Sequence, residues 1–409
     1  MPGLGQGWTS YLNRRLVTAF AMGFASGLPL MMTGSLMQAR AQEAGVSLAD
    51  IGLFSLVGLP YTLKFLWSPL FDSLVPPLLG RRRGWLLLLQ VALALGLMAL
   101  GQVGPGLGPQ WVQALVLTAF AVAFLSASQD IVIDAYRRED LLEHELGLGS
   151  GYYMYGYRLG MLLAGGGGMI LAEALPWAVV YNLLAAALIP AMFFTVLAPE
   201  PTVPVRELRG LRGAVVEPFR EYLRRPHAWA FLLFILLYKV GDSMAAALTT
   251  PFFMEIGYSK AAIGTVAKLF GFWATLAGAF IGGIFVMRRG IGQGLWVFGL
   301  AQMVSTLGFS LLAGAPVALP WLGAVVALEN LCSGMGTAAF MAFMASLTDK
   351  RFTAVQFALL TSLMGVPRVL LSSGSGFLAQ GLGWFWFFVF CTALAIPGVW
   401  MARRWGRAV

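Results

Sequence analysis

Charge is the first scarcity. Asp, Glu, Lys and Arg together make up 11% of 409 residues, against about 25% in soluble domains. With 59% hydrophobic residues and a mean hydropathy of +0.78, a soluble fold would have little polar surface to offer water. Cysteine is nearly absent. Cys332 and Cys391 both sit in apolar runs, so no disulfide framework is implied. The two histidines are isolated, and no cluster has metal-ligand spacing. A glycine-rich phosphate loop, zinc-finger spacing and basic-aromatic interleaving are also missing, so the net charge of +9 does not point to nucleic acid. No motif brings a nucleophile and a base together, which argues against an enzyme. The first apolar run lacks the flanks of a cleaved signal and is expected to remain as a membrane helix.

Long apolar runs are what the chain has in quantity, and stretches of about 20 such residues are what a bilayer-spanning helix needs. Spans are predicted near 15–38, 48–71, 85–104, 110–135, 149–172 and 176–197. After the polar stretch "APEPTVPVRELRGLRGAVVEPFREYLRRPH" come 228–254, 260–287, 292–314, 319–346, 356–380 and 383–402. Gly27-Leu28-Pro29 interrupts the first span. The expected architecture is an all-α polytopic membrane protein of twelve transmembrane helices in two pseudo-symmetric six-helix bundles, 1–197 and 227–409, joined by a cytoplasmic linker at 198–226. With both termini cytoplasmic, twenty of the 27 basic residues lie in inside segments, and only Arg40 and Lys260 lie outside. This is the positive-inside pattern, and it reads the charge as a topology signal. The basic linker could also rest on anionic lipid, though joining two bundles is reason enough for it.

The halves echo each other. "YGYRLGMLLAGGGG" around Arg158 is similar to "MGVPRVLLSSGSG" around Arg368, and Lys64 corresponds to Lys268. Internal repeats of this kind suit bundles that rock about a central site. The glycine runs at 164–168 and 372–376 are expected to mark helix crossings.

Ionisable residues left within the spans are costly, by about 2.5–3.5 kcal/mol each at mid-membrane, so they are expected to face the interior. The basic ones are Lys64, Arg158, Lys239, Lys268 and Arg368, and the acidic ones are Asp72, Asp130, Asp134, Asp242 and Glu329. Asp130 and Asp134 share a helix face in "SASQDIVIDAYRRED". They read either as proton carriers or as structural ion pairs, for example to Arg158. Lys239 and Asp242, spaced i and i+3 in "LLYKVGDSMAAALTT", either neutralise each other or open during rocking; Lys239 is alternatively an anion site. Thr249 and Thr250 are expected further along the same helix. Arg158 and Arg368 offer rigid donor forks suited to carboxylate or phosphate, and Lys268, Glu329 and Asn330 either complete such a site or pair among themselves. Tyr152, Tyr153, Tyr155 and Tyr157 precede Arg158; stacking on sugar rings and, for the first two, an interfacial belt are both open readings.

"SPLFDSLVPPLLGRRRGW" resembles the signature loop of the major facilitator superfamily, with Asp72 at the aspartate, Gly80 at the glycine and Arg81, Arg82 and Arg83 as the basic run. The inserted "SLVPPLL" departs from the usual short form. The resemblance implies a cytoplasmic gating latch in which the carboxylate pairs with nearby arginines. "FASGLPL", "GLFSLVGLPYTLKFLWSPLFD", "SASQDIVIDAY", "GYRLGM", "LYKVGDSMAAALTTPFF", "ENLCSGMGTAAFMAFM" and "TAVQFALLTSL" together, in order, resemble the anhydromuropeptide permease (AmpG) family. That resemblance implies a multi-pass protein of the Gram-negative inner membrane; nothing in the loops calls for a partner or a dimer, so a monomer is expected, and no cofactor is expected. It would couple to the proton gradient to import GlcNAc-anhydroMurNAc, with or without a stem peptide, for peptidoglycan recycling and, in some species, beta-lactamase induction. Acetyl-coenzyme A, another large anionic solute, is the alternative cargo. The expected proton-coupling residues are Asp130, Asp134, Asp242 and Glu329. Expected substrate contacts are Tyr155, Gln129, Arg158, Lys239, Lys268, Asn330, Gln356 and Arg368.

Overall fold

The computed structural model describes residues 13–77, 79–142, 145–201, 227–347 and 362–405, together with 220, 222–224 and 360. All regular structure among them is helical: α1 (Arg14–Met31), α2 (Met37–Glu43), α3 (Leu48–Leu53), α4 (Leu59–Leu63), α5 (Ser68–Ser73), α6 (Arg81–Gln102), α7 (Trp111–Asp140), α8 (Leu146–Leu162), α9 (Gly168–Ala174), α10 (Trp177–Ala186) and α11 (Ile189–Leu197). There follow α12 (Ala228–Ala247), α13 (Thr249–Glu255), α14 (Lys260–Ala262), α15 (Gly271–Arg289), α16 (Ile291–Ala313), α17 (Leu319–Ser346) and α18 (Ser375–Trp405). Among the described residues, nine helical stretches are long and apolar enough to cross a bilayer. Three irregularities interrupt the helices. The predicted second span is cut into short α and 3-10 pieces from Leu48 to Ser73. A π turn at Leu163–Gly167 separates α8 from α9, and Gly383, at φ 76°, breaks α18 internally. The stretch is long enough for two spans, and glycine is the residue that takes this backbone without strain.

By compactness the chain divides into two units, Met1–Met37 with Val57–Leu208, and Gln38–Leu56 with Arg209–Val409. In the first unit, α1 begins at Asn13, whose side chain accepts from the Leu16 amide and donates to Glu145 at 2.6 Å. Pro29 stays inside α1, and the irregular turn comes after it, at Met32–Leu36, where Gly34 leaves helical geometry. Proline has no N–H for the carbonyl four residues back, so Ala25 O loses its helical partner. Gln129 Nε2 of α7 donates to that carbonyl instead, at 3.1 Å. The interruption predicted at 27–29 is therefore displaced by one turn, and its freed acceptor is used by another helix.

α1 and α8 pack backbone to backbone. Gly23 and Gly27 lie against the carbonyls of Tyr153 and Tyr157, and Gly156 and Gly160 against those of Phe20 and Phe24, leaving no room for a Cβ at any of the four. Small residues four apart on both partners allow this approach in a membrane. The glycine run at 164–168 is different. It forms part of the π turn, and Gly165 and Gly168 meet side chains rather than backbone. Of the second run, Gly374 has nothing near it, while Gly376 lies against the Leu48 carbonyl. The tightest crossing of the first unit thus falls on dispersed glycines, because two helices need small residues at every fourth position and not in succession.

In the second unit, α12 crosses α18 at Gly241 and Gly398, and Tyr238 Oη of α12 donates to Leu295 O of α16 at 2.9 Å. Gln38 donates to Ala247 O, and Glu43 meets Lys260, both at 2.9 Å. α12 ends at Ala247, so Thr249 and Thr250 open α13 and do not continue the same helix.

Candidate functional site

In the first unit the site grows out of the α1–α8 crossing. Bringing those backbones together places Ser26 beside Tyr153, with oxygens 3.1 Å apart. Ser26 Oγ also donates to Asp130 Oδ1 at 2.5 Å. One turn along α7, Asp134 accepts from Arg137 at 3.2 Å and lies 3.8 Å from Lys64 Nζ. The Arg137 guanidinium sits over the Tyr153 ring, 3.8 Å from its centroid, a cation-π contact that fixes both side chains. Trp67 Nε1 donates to Ser128 Oγ at 3.0 Å, tying the broken second span to α7. The Asp134 side chain is 51% exposed and that of Lys64 36%. Gln129 is fully buried, and its Oε1 has no hydrogen-bond partner.

This arrangement revises the expected ion pairing. Asp134 pairs with Lys64 and Arg137, not with Arg158, because Arg158 projects from an exposed position of α8 and has no ion pair among the described residues. Tyr155 is also exposed. Tyr153 belongs to the polar cluster and is not a belt residue. Ser26, Tyr153 and Arg137 are contributors that spacing did not reveal.

The second unit holds its own charged cluster. Lys239 Nζ lies 3.0 Å from Asp242 Oδ2, with side chains 9% and 20% exposed. Glu329 is buried and accepts from Ser305. Asn330 accepts from Thr275 at 2.9 Å and donates to Val326 O at 2.9 Å, so it staples α15 to α17. Lys268 lies within a π-helical stretch, Ile263–Phe270, and its Nζ donates to Thr250 Oγ1 at 3.2 Å. Arg368, in the π turn Pro367–Leu371, is exposed without an ion pair among the described residues, like Arg158. Gln356 lies outside the described residues. Cys332 and Cys391 are both free and buried.

The profile of the Major Facilitator Superfamily matches residues 19–371. The anhydromuropeptide permease of Escherichia coli is 45% identical over 380 residues, covering 92% of this chain and 77% of that protein. This chain belongs to the anhydromuropeptide permease family of the major facilitator superfamily. The putative transporter AmpG 4 of Rickettsia conorii is 32% identical over 95% of the chain and 96% of its own length. Among solved structures, a bacterial homologue of the human lysosomal transporter Spinster superposes with a TM-score of 0.73 at 14% identity, covering 98% of both chains. That likeness bears on fold alone. Membership in the permease family makes the chain a secondary active transporter, not an enzyme.

The superfamily's signature loop has an unexpected set of partners here. Arg82 grips Glu139 at the end of α7, at 2.6 and 3.0 Å, and Arg81 reaches the same carboxylate at 3.2 Å. Glu200 accepts from the backbone amides of Arg82 and Arg83, at 2.7 and 2.9 Å. Those amides open α6 and have no helical acceptor, and the helix dipole favours an anion there. Gly80, at φ 82°, makes the turn into the helix. The Arg83 side chain binds Thr195 O and Val196 O. Asp72 lies in α5, and its side chain is outside the described residues. The carboxylates shown on the arginines are thus Glu139 and Glu200, which reach the loop through tertiary packing.

Proposed function

We propose that the chain imports anhydromuropeptides, GlcNAc-anhydroMurNAc with or without a stem peptide, from periplasm to cytoplasm by proton symport. The observation that carries this reading is the 45% identity to an anhydromuropeptide permease over 92% of the chain. The inner membrane of a Gram-negative bacterium is the matching location. Twelve spans in two bundles, 1–197 and 227–409, joined by a cytoplasmic linker, with both termini cytoplasmic, are the matching topology.

Asp130 is the proton carrier in this reading. It accepts from a neutral hydroxyl, while Asp134 beside it takes the cations Lys64 and Arg137. A proton on Asp130 removes charge without breaking an ion pair. Loading and unloading therefore leave the rest of the cluster in place. Arg158 and Arg368, exposed and without ion pairs among the described residues, have donors free for the lactyl carboxylate and any stem carboxylates. Tyr155 and Gln129 are suited to sugar and acetamido groups, and Asn330, Lys268 and Gln356 complete the proposed contacts. The arginine run at 81–83 serves as the gating latch, with Glu139 as its acceptor.

The decisive experiment is uptake of labelled disaccharide anhydromuropeptide into proteoliposomes, with and without an inward proton gradient. Gradient-driven accumulation that a protonophore collapses is expected. Uptake indifferent to the gradient would keep the cargo and remove the proton role. Absence of uptake by folded protein, together with uptake of acetyl-coenzyme A, would replace the cargo.

A further inference from the structure

A small cavity with room for a single water molecule lies between α12, α16 and α18 in the second unit. Asp242 and Tyr238 line it from α12, Gln302 and Thr306 from α16, and Cys391 and Thr392 from α18. Gln302 is only 7% exposed. Its amide oxygen faces Gly336 of α17, while its amide nitrogen is buried without a hydrogen-bond partner. A buried donor in that condition costs about 1–3 kcal/mol unless something accepts from it. Asp242 supplies an acceptor on the same cavity wall, since the recorded bond from Lys239 occupies only Oδ2. A water accepting from Gln302 and donating to Asp242 satisfies both.

Next to this cavity the charges do not balance. Ser305, three residues after Gln302 on α16, has both Gln302 O and Glu329 of α17 within hydrogen-bond reach of its hydroxyl, which donates to one of them at a time. Glu329 is 8% exposed and forms no ion pair among the described residues, yet Lys239 and Asp242 both lie within its electrostatic reach. The groups facing Glu329 and the cavity are thus Lys239, Asp242 and Tyr238 from α12, the neutral Gln302, Ser305 and Thr306 from α16, Cys332 from α17 and Cys391 from α18. One ammonium stands against two carboxyls. Fully ionised, the set carries a net negative charge away from water, which costs several kcal/mol. With one proton it is neutral.

We propose that Lys239, Asp242 and Glu329 form a second proton-binding site, distinct from Asp130, which holds one proton and is completed by a resident water on Gln302 and Asp242. The two carboxyls are unequal. Asp242 has the ammonium and the water, whereas Glu329 has hydroxyl neighbours alone, so the proton resides on Glu329. The site deepens the symport reading, but its test reads a proton directly and does not depend on cargo.

The test is infrared spectroscopy of the full chain in nanodiscs at neutral pH, in an Asp130→Asn background that silences the other site. A protonated-carboxyl band is expected. Glu329→Gln removes it, and so does Asp242→Asn, because either change leaves a single acid to balance Lys239. Lys239→Met roughly doubles it, since both acids then need protons. A water O–H band that shifts in 18O-labelled water is expected to disappear in Gln302→Leu. A carboxyl band that survives Asp242→Asn, or no band at all, overturns the shared proton. An unchanged water band in Gln302→Leu overturns the water. If Glu329→Gln fails to fold, Ser305→Ala reads the same group, and loss of the hydroxyl donor should move the band to higher frequency. An unmoved band counts against the site. Failed muropeptide uptake would leave these results standing, and loss of the band would leave the Asp130 reading intact.

Discussion

The two units carry intramembrane charge in opposite ways. In the first, Lys64 and Asp134 are 36% and 51% exposed, and Arg158 is exposed as well. In the second, Lys239, Asp242 and Glu329 are all largely withdrawn from solvent. Burial in a low dielectric strengthens a pair and penalises any charge left over. An open cluster can therefore exchange partners with a solute at little cost, whereas a closed one must keep its own charge count in order. The difference suits the open cluster of the first unit to exchanging partners and the closed cluster of the second to holding charge, while Arg368 gives the second unit an exposed arginine like Arg158.

Substitutions can break this contrast, and the largest effect is expected at Asp130. Asp130→Asn should abolish gradient-driven accumulation while leaving exchange of labelled for unlabelled muropeptide across the same vesicles. Retained accumulation would remove Asp130 from the coupling. Next comes the closed cluster. Lys239→Ala should destabilise the protein by about 3–5 kcal/mol, as removal of one partner from a buried pair does, read as a fall in thermal midpoint in nanodiscs. Gly156→Ala should cost about 1–3 kcal/mol by overpacking, because its new Cβ would meet the Phe20 carbonyl. It should also lower uptake, since Ser26 and Tyr153 are set by that crossing. Asp134→Asn is the smallest, at about 0–1 kcal/mol for an exposed pair. If it proves as damaging as Lys239→Ala, the contrast between open and closed clusters fails.

Much of this was legible before any coordinates. Apolar run lengths announce membrane helices, and the ordered motifs announce the family. The i, i+3 spacing of Lys239 and Asp242 anticipates a pair that the structure places at 3.0 Å. Partners chosen by tertiary packing were not legible. Ser26 reaches Tyr153 because four glycines let α1 and α8 touch, and no local pattern connects residue 26 to Tyr153 or to Asp130 on α7. Likewise Glu139 and Glu200 reach the arginine run from the ends of other segments, far away in sequence. Glu139 stands in "SASQDIVIDAYRRED" directly after Arg137 and Arg138, so its spacing points to those local arginines and not to Arg82. Short-range spacing predicts pairs on one helix. It cannot choose between acids that arrive on different helices.

Pro29 has a mechanical consequence. Its missing N–H leaves the Ala25 carbonyl to the Gln129 side chain, and Gln129 is the residue immediately before Asp130. The weak point of α1 is therefore also its tether to α7. Any tilt of α1 about Pro29 pulls on the neighbour of the proposed proton carrier. Pro29→Ala would give Ala25 a helical partner of its own and make the Gln129 bond redundant, leaving the Ser26–Asp130 hydrogen bond to join α1 to α7. A residue usually counted as damage to a helix here acts as a coupling pin.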